Sequence, residues 1–206
     1  MFKIPKNYQE AKKWIRPMVL TMALLPFVFL YFANSAKKTS LPKLFEVPSF
    51  QLLDQDNNKF LSQDMMGEVW MVNFFFTRCT SVCPIQTSKL KTFKERNPEI
   101  ELQTISITVD PQHDNVETLS EYSRKFEIDS KNWKLLTGPE KDVEGVVVGG
   151  FKSGMEIIEE DTFFDIAHAN YLLLVDKENF VRAIVSFAEQ DFEEKVISLY
   201  EYLKST

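Results

Sequence analysis

Apolar and polar positions along the chain predict strands and helices that follow one another closely. The apolar run from Met71 to Phe76 is rich in β-forming residues, which is typical of a central strand buried on both faces. Residues 102–109 alternate towards a second strand, and residues 116–126 place apolar side chains on one helical face. This order of elements predicts an α/β fold with a mixed central sheet flanked by helices.

Turn and capping residues predict the other elements of the same domain. Pro84 favours the first turn of a helix, where its missing N–H costs nothing, so a helix should follow the central strand directly. The remaining predicted elements are a hairpin of residues 50–54 and 59–61, a strand at 133–136, a helix at 141–149, a hairpin of residues 169–175 and 180–187, and an amphipathic helix at 192–203. A strand, a cysteine-containing loop and a helix in succession are typical of a thioredoxin-like fold.

The N-terminal segment differs from the rest of the chain. Residues 17–36 contain no charged residue, and a stretch of this length can cross a bilayer core about 30 Å thick. Five basic residues precede this stretch and two lysines follow it, which favours a cytoplasmic location for residues 1–16. We expect a single-pass anchor in the inner (cytoplasmic) membrane; a cleaved signal peptide and a buried globular helix are the alternatives. A proline-containing tether at 37–48 would then hold the domain at 49–206 on the periplasmic, extracytoplasmic side.

The charge of the chain limits the functions that its domain can have. The 206 residues carry a net charge of −6, and residues 1–36 contain five basic residues and one acidic residue. The remainder therefore carries about −10, which argues against a nucleic-acid-binding surface. The chain has no Gly-rich phosphate loop and no HExxH or GxSxG motif, so phosphoryl transfer and zinc or serine hydrolysis have no support.

The two cysteines of the chain, Cys79 and Cys83, lie between the predicted central strand and the following helix. They are four residues apart, so a helical turn would place both sulfurs on one face. The start of the helix and the neighbouring Arg78 should lower the pKa of at least one thiol. Such a pair suits a reversible disulfide or the binding of a soft cation between two thiolates. A purely structural disulfide is the third possibility, although so short a loop would add little stability.

The two histidines of the chain occupy different sequence environments. His168 directly precedes a predicted buried strand, and a loop at a strand end can place an imidazole over a neighbouring loop. Two cysteines and one histidine form a familiar donor set for borderline metals, so His168 is a candidate third ligand; the alternative is an ordinary polar residue. His113 lies between carboxylates in a predicted turn, and we expect it to be exposed.

Taken together, these segments resemble the Sco (SenC) family of membrane-anchored copper proteins. The residues that carry the resemblance are the stretch from Phe76 to Pro84 (FTRCTSVCP), residues 105–111 (ISITVDP), residues 136–138 (LTG), and His168 with residues 171–176 (YLLLVD). The resemblance implies a thioredoxin-like fold that binds one copper ion through Cys79, Cys83 and His168. It also implies a role at the CuA site of cytochrome c oxidase. The chain departs from the family in having Thr80 where proline is usual and Ser81 where an acidic residue is common.

Two hypotheses from different classes follow. The first is a copper metallochaperone that holds Cu(I) or Cu(II), assists assembly of the CuA centre and is not a turnover enzyme. The second is a membrane-tethered thiol–disulfide oxidoreductase that reduces the CuA-site cysteines, or a redox sensor. A thiol peroxidase is a weaker third alternative, since Thr77 is present but the usual proline is not. The expected partners are the oxidase subunit that carries CuA, and either another copper chaperone or a thioredoxin-like reductase.

Overall fold

The structure is a computed structural model that describes residues 41–151 and 170–206. The predicted anchor at 17–36 and the candidate ligand His168 lie outside the described residues. Residues Pro42–Thr206 form one compact unit. Among the described residues, no helix is both long enough and apolar enough to cross a membrane.

One strand was not predicted, and one predicted helix is divided into a helix and a π-helical turn. The described elements otherwise agree with the predicted ones to within two residues at each predicted boundary. They are β1 (Phe45–Glu46), β2 (Gln51–Asp54), β3 (Lys59–Leu61), a 3₁₀ turn (Ser62–Met65), β4 (Trp70–Phe75), α1 (Val82–Arg96), β5 (Gln103–Thr108), α2 (Val116–Phe126), β6 (Trp133–Thr137), α3 (Glu140–Glu144), a π-helical turn (Gly145–Gly150), β7 (Tyr171–Val175), β8 (Phe180–Ser186) and α4 (Phe192–Ser205). The helix predicted at 141–149 is thus α3 and the π-helical turn that continues it.

All of the described strands belong to one mixed sheet, as the sequence predicts. The strand order is β1-β8-β7-β4-β5-β6-β2-β3. The pairs β4–β5 and β5–β6 are parallel, whereas every other pair is antiparallel. Parallel neighbours need long crossover connections, and here α1 and α2 supply them. The carboxyl ends of β4, β5 and β6 therefore meet at one edge of the sheet.

Both faces of the central strand β4 are covered, and all six of its residues are buried. Consecutive residues of a strand point to opposite faces. The Phe75 ring packs on Tyr122 of α2 with ring centroids 5.3 Å apart, and the Phe74 ring packs on Phe151 at 5.6 Å. The helix α2 thus covers one face, and Phe151, the residue directly after the π-helical turn, covers the other. This burial explains the continuous apolar run in the sequence.

The segment before β2 differs from the expected tether. In the structure, Phe45 and Glu46 form strand β1 beside β8, and the Leu44 N–H donates to the Val181 carbonyl at 2.9 Å. Val47 is buried in the core. The open edge of β8 offers unpaired backbone groups, and β1 satisfies them. Two paired residues are too few to produce a periodic pattern, so the sequence did not predict this strand.

Candidate thiol and metal site

Both cysteines lie at the carboxyl end of the central strand. The loop 76–81 leaves β4, and α1 begins at Val82, so Pro84 occupies the first turn as predicted. The loop that follows β5 reaches the same edge of the sheet because the two strands are parallel neighbours. Crevices at the carboxyl ends of parallel strands are the usual ligand sites of α/β folds.

Backbone hydrogen bonds bring the two sulfur atoms together. The Cys79 N–H donates to the Phe76 carbonyl at 3.2 Å, which closes a turn directly after the strand. The Cys83 N–H, in the first turn of α1, donates to the Cys79 sulfur at 3.3 Å. Both cysteines are free thiols; Cys79 is partly exposed and Cys83 is buried. The two cysteines thus lie close together, as predicted, although Cys79 belongs to the loop and not to a helical turn.

The two thiols have opposite acidities. The Cys83 thiol donates to the Cys79 sulfur, and this bond, with the N–H groups of Cys83 and Ser81, lowers the pKa of Cys79 to about 5 against the opposing effect of burial. The same bond, followed by burial, raises the pKa of Cys83. At neutral pH, Cys79 is therefore a thiolate and Cys83 a protonated thiol.

Arg78 has a different role from the expected one. Its Nε and Nη2 both donate to Oδ2 of Asp110, at 2.9 and 2.7 Å, so the carboxylate offsets its charge. Asp110 is buried, and its other oxygen lies 2.8 Å from Nδ1 of His113. The imidazole is half exposed, as predicted for His113. Hydrogen bonds from Cys83 and Ser81, rather than the guanidinium, are thus the main cause of the lowered pKa of Cys79.

A fully buried carboxylate, Asp114, fixes the start of the cysteine loop. Its side chain accepts from the Thr77 N–H at 3.0 Å, from the Thr77 hydroxyl, and from the Thr108 hydroxyl at 2.5 Å. Its carbonyl accepts from the Thr137 hydroxyl, which belongs to β6. Burial raises the pKa of Asp114. Asp114 thus ties together the carboxyl ends of three parallel strands, through its side chain at β4 and β5 and through its backbone carbonyl at β6.

Sequence reasoning did not assign Asp110 or Asp114 to the site. The available signal was their position: both follow the strand predicted at 102–109, next to the central strand. With the two strands parallel and adjacent, both carboxylates had to lie at the edge of the sheet that carries the cysteines. The sequence showed the strands, but it did not show which strands are neighbours.

The donors that the described residues offer to a metal are the two sulfurs. Residues 41–151 and 170–206 hold no cluster of three or more His, Cys, Asp or Glu side chains suited to a metal ion. A thiolate and a second thiol within hydrogen-bond contact fit a soft cation such as Cu(I). The described chain resumes at Asn170, whose side-chain oxygen accepts from the Gln86 amide of α1 at 3.2 Å.

Comparison with known proteins agrees with this description. The family model described as SCO1/SenC matches residues 38–203. The chain is 31% identical over 139 residues to a SCO1 protein homolog of Bacillus subtilis (strain 168). This match covers 65% of this chain and 70% of that protein.

Two solved structures share the thioredoxin-like fold of this chain. BsSco, in which a disulfide switch was identified, is described as a member of the Sco family of cytochrome c oxidase assembly proteins. It is similar with a TM-score of 0.66 and 24% identity over 78% of this chain and 94% of that one. ScoI of Arabidopsis thaliana, solved with copper bound, is similar with a TM-score of 0.64 and 22% identity over 79% of this chain and 100% of that one. With four-fifths of its length matched by the family model, and with its two cysteines at the start of the first crossover helix, this chain belongs to the SCO1/SenC family.

Proposed function

We propose that this chain is a copper metallochaperone that binds copper through Cys79, Cys83 and His168 and assists assembly of the CuA centre of cytochrome c oxidase. The observation that carries the proposal is the thiolate of Cys79 held against the Cys83 thiol at the start of a helix. Membership of the SCO1/SenC family and the copper bound to the Arabidopsis relative support the choice of metal.

The two sulfurs favour copper in its reduced state. Cys79 is already ionised near neutral pH, so one ligand needs no deprotonation. Cys83 must lose its proton, and binding should therefore release about one proton per copper ion. Two thiolates suit Cu(I), whereas an added imidazole from His168 suits Cu(II). A site with three ligands also leaves room for an incoming donor, which permits transfer to a partner by ligand exchange.

The proposed partner and location follow from the family and from the N-terminal sequence. BsSco is described as a member of a family of cytochrome c oxidase assembly proteins, so we take the subunit that carries CuA as the recipient. Residues 17–36 would anchor the chain in the inner membrane, with the compact unit on the periplasmic side. That compartment is oxidising, so the cysteines can form a disulfide there and lose the metal.

Copper titration of the reduced full-length chain in detergent tests the proposal. We expect one tightly bound Cu(II) per chain, with a thiolate-to-copper charge-transfer band and a matching EPR signal. His168→Ala should abolish the band and weaken Cu(II) binding far more than Cu(I) binding, because only Cu(II) needs the imidazole. His113→Ala is the matched control and should change neither affinity, since His113 bonds to Asp110. Equal losses of Cu(I) and Cu(II) in His168→Ala would count against the proposed ligand set.

The opposite acidities of the two cysteines favour one alternative function, thiol–disulfide exchange. The Cys79 thiolate would attack a partner disulfide, form a mixed disulfide and release one partner thiolate. Cys83, having given up its proton, would then attack the Cys79 sulfur, so that the pair is oxidised to a disulfide and the partner is reduced by two electrons. Once Cys79 is in a mixed disulfide it is no longer an anion, which removes the first cause of the raised pKa of Cys83.

The rate at which the reduced chain reduces an oxidised CuA-domain protein by thiol–disulfide exchange distinguishes the oxidoreductase from the metallochaperone. In the oxidoreductase case, His168→Ala should retain the exchange rate of the wild type, and Cys83→Ala should stop at the mixed disulfide. If the wild type shows tight copper binding and negligible exchange, the alternative is wrong.

A further inference from the structure

The start of α1 presents apolar side chains to solvent beside the cysteines. Ile85 is 68% exposed and Val82 is 45% exposed, and they lie three residues apart, so they are neighbours on one face of the helix. Three polar, uncharged residues of this helix and of the loop before it are also exposed, namely Thr80, Ser81 and Ser88. We call these five residues the α1 rim. A single exposed apolar residue needs no explanation, but adjoining ones beside a reactive group point to a contact surface.

The α1 rim is continuous with the sulfur of Cys79. Oγ of the exposed Ser81 lies 4.0 Å from that sulfur, and Val82 follows directly as the first residue of the helix. Cys79 is partly exposed, whereas Cys83 is buried. A molecule that exchanges a ligand or a disulfide with this pair must therefore approach Cys79, and in doing so it covers the residues next to it.

The α1 rim is an uncharged surface on an acidic chain. Residues 79–88 contain no charged side chain, although the chain carries a net charge of −6. The charged residues at the two ends of this stretch are directed to partners within the domain. Arg78 donates to Asp110 at 2.7 Å, and Nζ of Lys89 donates to the Phe187 carbonyl at 2.7 Å. Charged residues are depleted at the centre of protein–protein interfaces, because an unpaired charge loses its hydration there.

We propose that the α1 rim is the docking surface for the copper recipient, an inference that rests on the proposed function. The recipient is a protein whose surface around its own thiols is apolar and uncharged. In the transfer, a thiolate of the recipient forms a bond to Cu(I) as the Cys79 sulfur gives up its own bond, with no change of oxidation state. Ile85, the more exposed of the two apolar residues, is buried in this contact and helps to exclude water from the exchanging sulfurs.

Charged substitutions at Ile85 test the inference, because a charge of either sign is unfavourable in an uncharged contact. The reduced full-length chain in detergent, loaded with one Cu(I), is mixed with the reduced, metal-free CuA domain of the oxidase from the same organism. The measured quantity is the second-order rate constant of copper transfer. We expect Ile85→Glu and Ile85→Lys each to lower this rate constant about tenfold or more, while the Cu(I) affinity stays within about threefold of the wild type. Ile85→Leu keeps the apolar contact and should retain the wild-type rate constant.

Met66→Glu and Met66→Lys are the matched controls. Met66 is 56% exposed, and the N–H of the next residue, Gly67, donates to the Lys177 carbonyl at the edge of the sheet where β4 begins. Met66 therefore lies at the opposite edge of the sheet from the cysteines. Both variants should transfer copper at the wild-type rate.

Several outcomes overturn the inference and leave the proposed function in place, because copper binding is unaffected in each. They are opposite effects of Glu and Lys at Ile85, which would reveal a charged recipient surface, wild-type rate constants in both Ile85 variants, and equal losses in the Met66 variants. A wild type that is dimeric in sedimentation, with a monomeric Ile85→Glu, would assign the α1 rim to a second copy of the chain and would also overturn the inference. A wild type that binds no Cu(I), or that transfers none to the CuA domain, overturns both the inference and the proposed function.

Discussion

The Cys83 thiol is the first cause of the low pKa of Cys79, and its removal is a direct test of the site. In Cys83→Ala the thiol donor is lost, but the backbone N–H groups of residue 83 and Ser81 remain. The pKa of Cys79 should therefore rise from about 5 without reaching the ordinary value of 9.0. In Cys83→Ser a hydroxyl can still donate, so the pKa of Cys79 should stay close to that of the wild type.

The size of the effect decides which observable to measure. If the midpoint in Cys83→Ala moves to about pH 7, the thiolate fraction at pH 6 falls from about 90% to about 10%. A thiolate of higher pKa is also a better nucleophile, by a factor of roughly 6–10 for that change, with a Brønsted coefficient of about 0.4–0.5. The two effects nearly cancel at pH 6, so a rate at one pH would conceal the change. The midpoint of the pH–rate profile and its plateau should both rise.

The assay is alkylation of the reduced, metal-free chain by iodoacetamide between about pH 4 and 10, with mass spectrometry to identify the modified cysteine. We expect a wild-type midpoint near pH 5 for Cys79 and slow reaction of the buried Cys83. Cys83→Ala should show a higher midpoint and a plateau raised roughly sixfold to tenfold. A midpoint that is the same in Cys83→Ala as in the wild type would refute the assignment of the low pKa to the Cys83 thiol. So would a Cys83→Ser midpoint as high as that of Cys83→Ala.

Two further predictions concern stability and can be measured by urea unfolding of the reduced chain. Burial raises the pKa of Asp114 in the folded chain above its ordinary value. The stability that protonation of Asp114 gives the fold is therefore fully present below the ordinary pKa, and it is lost as the pH rises through the folded-state pKa. The unfolding free energy of the wild type relative to Asp114→Asn should therefore fall as the pH rises above the ordinary carboxyl pKa of 3.8, and a difference independent of pH would contradict the buried carboxylate. Phe93→Ala removes a core side chain of α1 that is 2% exposed and should cost about 3–5 kcal/mol. The control Ile85→Ala, on the same helix but 68% exposed, should change stability by less than about 0.5 kcal/mol, and equal losses would show that Phe93 does not pack in the core.

Local features of the site could be predicted from the sequence because they depend on residues close together in the chain. The apolar run before the cysteines predicted a buried strand, and Pro84 placed the start of α1. The four-residue spacing then predicted that Cys79 and Cys83 lie close together at the start of that helix. The N–H of Cys83 donates to the Cys79 sulfur for the same local reason, so a lowered thiol pKa was also predictable, although its principal cause was not.

The surroundings of the cysteines were decided by the tertiary structure alone. Asp114 reaches Thr77 across 37 residues, and Gln86 reaches Asn170 across 84. Strand β1 likewise pairs with a strand more than a hundred residues later in the chain. Periodicity and capping describe which residues are neighbours on one element, but they contain no information on which elements lie side by side. The physical reason is that these contacts exist only after β4 and β5 have paired in parallel and β7 has joined them, so burial and hydrogen bonding there depend on the whole sheet.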